Sequence, residues 1–214
     1  MIIEDAKAAS AISKREQNKQ ERRKAIIVVA ERLFAEHGFA ETSMSEISAQ
    51  LGGSKGTLWS YFASKEELFT AVLDERTRAF RSELAALLEP TSDLHATLHE
   101  FCARFIAKLV EPQVIAMSCI VIAECRRDPA LGALLHDRGH RMTHTLIAGY
   151  LRAHIDSGHL RDVDPEQAAR TLVTLCQGAG QLPMLWRRTL PENFDPQTAA
   201  DNVLDIFMRA YGNS

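Results

Sequence analysis

Ser43-Met44-Ser45-Glu46-Ile47-Ser48-Ala49-Gln50-Leu51-Gly52-Gly53-Ser54-Lys55-Gly56-Thr57-Leu58-Trp59-Ser60-Tyr61-Phe62 reads as two short helices joined by a glycine turn. Ser43 as N-cap with Glu46 three positions on forms a capping box, which satisfies two orphan backbone N–H groups. Met44, Ile47 and Leu51 then share one face. Gly52-Gly53 ends the first helix, since glycine takes the positive φ of a C-terminal cap without Cβ strain. Ser54 caps the second helix, where Leu58 and Phe62 lie four apart and point together into a core. At about 100° per residue this leaves Gly56, Thr57 and Ser60 outward, flanked by Lys55, Trp59 and Tyr61. Gly56 inside a helix costs roughly 1 kcal/mol relative to alanine. Its bare backbone makes sense where a second surface presses close, and a small, polar and aromatic face suits base edges and phosphates.

Taken outward from that core, Gly38, Thr42-Ser43-Met44, Glu46-Ile47, Gly52, Ser54-Lys55-Gly56-Thr57-Leu58-Trp59, Tyr61-Phe62 and Ser64-Lys65-Glu66-Glu67-Leu68-Phe69 form one pattern. Over about residues 20–80 it resembles the helix-turn-helix of the tetracycline-repressor (TetR/AcrR) family of regulators. Gly53 stands where that family usually has valine, and Trp59 where it usually has tyrosine. The resemblance implies double-stranded DNA as partner. The DNA-contacting set expected is Thr42, Ser43, Ser54, Lys55, Gly56, Thr57, Trp59, Ser60, Tyr61 and Lys65.

Upstream, residues 1–18 are polar and read as a flexible arm or a fraying helix extension. Lys19, Arg22, Arg23 and Lys24 open the first firm helix, which the resemblance implies lies beside the DNA backbone, where they would add salt-dependent affinity, an ordinary solvated face being the alternative; Ile26, Val29, Ala30, Leu33 and Phe34 are its inner face. Gly38-Phe39 matches its C-terminal cap. Downstream, Ser64 and Glu67 make a second capping box, and Lys65 stands at a helix N-terminus suited to a phosphate. Phe69, Leu73, Phe80, Leu84 and Leu87 recur at helical spacing until Pro90. The expected domains are an arm at 1–18, a head at 19–64, a connecting helix at 65–90 and a body at 91–214.

The body carries no Gly-rich phosphate loop, no GxSxG and no HExxH, so no nucleophile–base constellation points to an enzyme. Asp128-Pro129, Asp164-Pro165 and Asp195-Pro196 each put a capping acid before a proline at a first helical position. Asp164 with Gln167 adds a capping box. Helices follow over about 93–110, 113–127, 129–157, 165–187 and 196–211, Gly158 ending the third. The fold expected is all-α, with nine helices in two domains, and the resemblance implies that the body binds a small-molecule effector and dimerises.

Family members pair through their last two helices, which here gives Leu172, Leu175, Gly178, Val203 and Phe207 as dimer-interface candidates, although an intramolecular core explains the same apolar stripe. The helices that enclose ligands in that family carry Phe101, Cys102, Phe105, Met117, Ser118, Ile122, Met142, Leu175 and Trp186 here. His136, His140 and His144 are four apart, as are His95 and His99, a spacing that lets pairs share a metal. Three on one straight helix do not all reach one ion, so a solvated face is preferred and metal-responsive regulation is the alternative. No metal and no cofactor is expected.

Composition agrees. Of 214 residues, 46% are hydrophobic and 7% aromatic, and the net charge is −3. Residues 1–62 hold nine Lys/Arg against eight Asp/Glu, the remainder 16 against 20. The front is therefore slightly the more basic. Cysteines 102, 119, 125 and 176 show no CxxC and read as reduced core residues in a cytoplasmic protein. No stretch approaches the roughly 18 apolar residues of a membrane span. The reading as a whole is a homodimeric, ligand-responsive regulator, a repressor, on a palindromic operator.

Overall fold

The computed structural model describes residues 2–52, 55–89, 93–129, 132–133, 136, 140–187 and 189–213; of residues 2–13, Lys55, His140 and Arg187 it describes the backbone alone. Among them lie nine helices and no strand: α1 (Ile2–Glu41), α2 (Met44–Gln50), α3 (Lys55–Trp59), α4 (Lys65–Leu87), α5 (Leu94–Leu109), α6 (Pro112–Arg127), α7 (His140–Asp156), α8 (Pro165–Cys176, continuing through a π turn at Gln177–Gln181 into Leu182–Arg187) and α9 (Pro196–Tyr211). None is long and apolar enough to cross a membrane by itself. The all-α expectation holds. Ser54 and part of the stretch before His140 lie outside the described residues.

Two compact units result, Met1–Leu73 and Asp74–Ser214, and the division falls inside α4 rather than at its ends. Helix α1 begins at Ile2, so the segment expected as an arm or helical extension is helical.

The helix ends follow local chemistry. Gly38 breaks α1 at φ 81, and Gly52 closes α2 at φ 64, a left-handed backbone that a Cβ disfavours. Ser43 Oγ accepts the Glu46 N–H at 3.1 Å, but the Glu46 carboxylate lies 3.2 Å from His37 Nδ1. At α4, Ser64 Oγ accepts the Glu67 N–H at 3.1 Å while Glu67 reaches back to the Ala63 N–H at 2.7 Å. Asp93, Asp164 and Asp195 cap α5, α8 and α9, each such cap stabilising its helix by about 1 kcal/mol.

In the first unit, Ile26, Ile27, Ala30, Leu33 and Phe34 of α1 are buried with Ile47, Leu58, Phe62, Leu68 and Val72. Phe34, Phe39 and Phe69 close the cluster, with ring centroids 4.9–5.5 Å apart and one edge-to-face pair. In the second unit, α5 lies at the centre, its Leu98, Phe101, Cys102 and Ile106 wholly buried against Leu151, Leu172, Cys176, Leu204 and Phe207. Arg161 fastens the end of α9, donating to the carbonyls of Gly212, Ala210 and Arg209 at 3.0, 3.0 and 3.4 Å.

Candidate nucleic-acid interface

The sequence of α3 sorts its faces. Leu58 is 2% exposed and Phe62 1%, anchoring the helix to α1 and α2, whereas Trp59 is 51% exposed and Gly56 and Ser60 are open to solvent. Thr57 and Tyr61 are half-buried at the flanks. The Ser60 hydroxyl donates to the Thr57 carbonyl at 2.7 Å, satisfying the frayed end of the helix. What remains is a narrow outward strip of backbone, hydroxyls and one indole, with no bulky cover among the described residues of its own unit. Lys55 starts α3, its side chain outside the described residues.

Two expected contacts belong elsewhere. Thr42 is 1% exposed, and its hydroxyl is occupied by the carbonyls of Leu33 at 3.1 Å and Gly38 at 2.7 Å, so it ties the end of α1. Lys65 donates to the carbonyls of Phe39, Ala40 and Thr42 at 2.7, 3.2 and 3.0 Å, with the ammonium 4.4 Å above the Phe39 ring. Three carbonyls engage the ammonium that its place at a helix start led one to expect on a phosphate. Ser43 is exposed, its oxygen engaged as the α2 cap.

Sequence reasoning singled out Arg22 and Arg23 but not what they hold in the helix-turn-helix, and it did not single out Arg32. Arg22 reaches the Leu51 carbonyl at 3.4 Å, Arg23 lies 5.0 Å over the Phe62 ring, and Arg32 donates to Gln50 Oε1 at 2.9 Å. Nothing in the positions 22, 23 and 32 along α1 separates such contacts from a solvated face.

In the body, the effector candidates divide. Phe101, Cys102, Phe105 and Met117 are buried, and Ser118 and Leu175 partly so. Ile122, Met142 and Trp186 are 60%, 50% and 85% exposed, so they do not wall an interior cavity of this chain. Gln181 of the π turn is 8% exposed and donates through Nε2 to Ser118 Oγ at 3.2 Å, one residue after the buried Met117. That places a polar couple in apolar surroundings. Cys176 has its thiol raised well above the usual range by a hydrogen bond to Cys102 and by burial.

The dimer candidates divide by burial within the chain. Leu172, Val203 and Phe207 are 0%, 4% and 0% exposed, filling their own core, and Leu175 is half-buried. Gly180 is small because a Cβ there would meet Val110 Cγ1 at 2.7 Å, a close approach within the chain; Gly178 faces open space. The outward apolar residues of these two helices are Ile206, Leu182 and Trp186. Among the histidines, His99 pairs with Asp201 at 2.9 Å, and no cluster of three or more potential metal ligands occurs among the described residues.

Comparison with known proteins decides what this arrangement is. Residues 26–72 match the family described as bacterial regulatory proteins, tetR family, and residues 96–213 match the AefR-like transcriptional repressor C-terminal domain. The chain belongs to the TetR family. This TetR-family regulator is 29% identical over 163 residues to the HTH-type transcriptional regulator UidR of Escherichia coli strain K12, covering 74% of this chain and 80% of that protein. A crystal structure of a TetR-family regulator from Mesorhizobium loti superimposes with a TM-score of 0.80 at 23% identity, covering 91% and 98% of the two chains, which supports the fold. The flavonoid-responsive regulator FrrA gives a TM-score of 0.78 at 25% identity, over 90% and 98%.

Proposed function

We propose that this TetR-family protein is a homodimeric repressor whose two α3 faces enter successive major grooves of a palindromic operator, and that a small molecule bound in the body releases it. The observation that carries the reading is the division of α3, with Leu58 and Phe62 sunk in the core and Gly56, Trp59 and Ser60 left bare. A lone head offers few base contacts, so twofold pairing supplies both affinity and a half-site spacing of about one helical turn. Exposed Leu182, Trp186 and Ile206 support pairing along α8 and α9.

Buried Phe101, Phe105 and Met117, together with the buried Gln181 amide on Ser118, support an effector that is mainly apolar with a hydrogen-bonding group. FrrA is described as flavonoid-responsive, so flavonoids are sensible first probes. Release requires that the effector bind more tightly to a form of the dimer with low operator affinity, and each tenfold difference shifts the balance by about 1.4 kcal/mol. Helix α4, which belongs to both units, is the covalent route between them. The test is selection of duplexes from a random pool by the full chain, followed by addition of effector candidates to the enriched complex. Enrichment of a palindrome and its release supports the reading; a pool that stays random contradicts it.

A further inference from the structure

Helix α6 sorts into two faces. Ala116, Cys119, Ile122 and Ala123 are exposed, whereas Met117 and Glu124 are buried and Val114, Ser118 and Val121 partly so. At about 100° per residue the second group forms one inward stripe along the helix. Glu124 is its anomaly, a carboxylate on a residue only 8% exposed. Among the described residues no hydrogen bond reaches that carboxylate, and its ion pair is with Arg127 at 3.8 Å, an arginine whose side chain is 66% exposed. A pair so long and so open to water does not offset the cost of burying the charge. At the other end of the stripe, the Ser118 hydroxyl donates to the Val114 carbonyl at 2.8 Å and accepts from Gln181 Nε2 at 3.2 Å. The Gln181 amide oxygen is left as an acceptor that no hydrogen bond reaches among the described residues.

We propose that Glu124 is the counter-ion of a positively charged effector, one with a protonated amine at one end, an apolar body along Met117 and Val121, and a hydroxyl or N–H at the other end for the Gln181 oxygen. The proposal rests on the reading of the body as an effector site and deepens it by naming the ligand's charge. Six residues of helix set the spacing, since Ser118 and Glu124 lie about 9 Å apart along the axis. Charge selects the class. An ammonium brings the buried carboxylate the charge-assisted hydrogen bonds it lacks, a neutral group brings weaker ones, and an anion is repelled. Arg127 is the resident competitor, and its long exposed side chain leaves for water at little cost.

The test uses the full chain and phenol-tipped alkyl probes of increasing length that end in an ammonium, an alcohol or a carboxylate, with binding followed by calorimetry. The wild-type chain should bind an ammonium at least about tenfold more tightly than the alcohol of the same length, and the carboxylate least. Glu124→Gln should bring the ammonium down to the alcohol's level, hold the alcohol within about twofold of its wild-type affinity, and melt no lower than wild type, because a neutral amide of the same shape is easier to bury. Arg127→Gln should tighten the ammonium about threefold by removing its competitor, a gain that misfolding does not produce. Equal binding of ammonium and alcohol by the wild-type chain, or a tenfold preference that survives in Glu124→Gln, overturns the counter-ion role and leaves the effector reading standing. A flavonoid that binds where no ammonium does has the same consequence. If neither kind of probe binds, the effector reading falls and this inference with it.

Discussion

The Lys65 ammonium donates to the Phe39 carbonyl at 2.7 Å while lying 4.4 Å above the ring of the same residue. With Ala40 and Thr42 as its other acceptors, it joins the start of α4 to the turn between α1 and α2. The turn from α1 to α2 sets where α3 begins, so these bonds give Lys65 a positioning role within the first unit.

Lys65→Met is therefore expected to destabilise the first unit by about 1–2 kcal/mol, three charge-assisted bonds being lost at a partly solvated site. The salt slope of duplex binding should stay unchanged. Thermal melts and salt titrations read the two effects separately; an unchanged melting temperature with a slope reduced by about 1 would restore the phosphate role.

These three bonds explain what could be read ahead of the structure. Ser43, Ser64, Asp164 and Asp195 act within four residues of their own N–H partners, and Gly38 and Gly52 act on their own φ, so helix ends are local facts that a sequence displays. Lys65 and Phe39 are 26 residues apart, and nothing in a helix-start pattern says which acceptor an ammonium finds. The same limit governs Leu172 and Phe207. Periodicity marks an apolar stripe on α8 and α9 but does not name the surface it meets, and here their own core takes it. The Thr42 hydroxyl is engaged on Gly38 because a hydroxyl one residue before an N-cap serves the preceding helix as readily as a phosphate.

Thr42→Val should cost about 1–2 kcal/mol, since the buried carbonyls of Leu33 and Gly38 lose a donor. Thr42→Ser should recover most of it. Denaturant unfolding of the full chain measures both, and a neutral Thr42→Val would show that the hydroxyl bond carries no net stability.

On α9, neighbouring residues should separate folding from pairing. Phe207→Ala, in the core, is expected to lose about 3–5 kcal/mol. Ile206→Glu, 53% exposed, should leave the helical content intact and shift sedimentation from dimer toward monomer. A fully dimeric Ile206→Glu would move the pairing surface away from this face.

Acid should weaken the body. His154 is 5% exposed, neither of its ring nitrogens has a hydrogen-bond partner among the described residues, and it lies 4.6 Å from the Tyr150 ring. Burial first and His159 second hold it below its ordinary value of 6.5, Asp93 opposing, and burial with His136 does the same to His144. Above that value both folded and unfolded rings are neutral. As pH falls through 6.5 the unfolded chain takes up protons first, so stability drops until the lower folded value is passed. Melting temperatures between about pH 7 and 5.5 should fall, and His154→Leu should flatten part of that fall while melting no lower at pH 7, since no hydrogen bond is lost. A strongly lowered melting temperature for His154→Leu at pH 7 would refute this.

The central claim is that the uncovered strip of α3 reads DNA. Thr57→Asp puts a carboxylate at the flank of that strip, and the decisive quantity is its affinity for a duplex selected by the wild-type chain. The account predicts a loss of about a hundredfold at an unchanged melting temperature, through phosphate repulsion and lost base contacts. Equal affinity of wild type and Thr57→Asp for that duplex would contradict it.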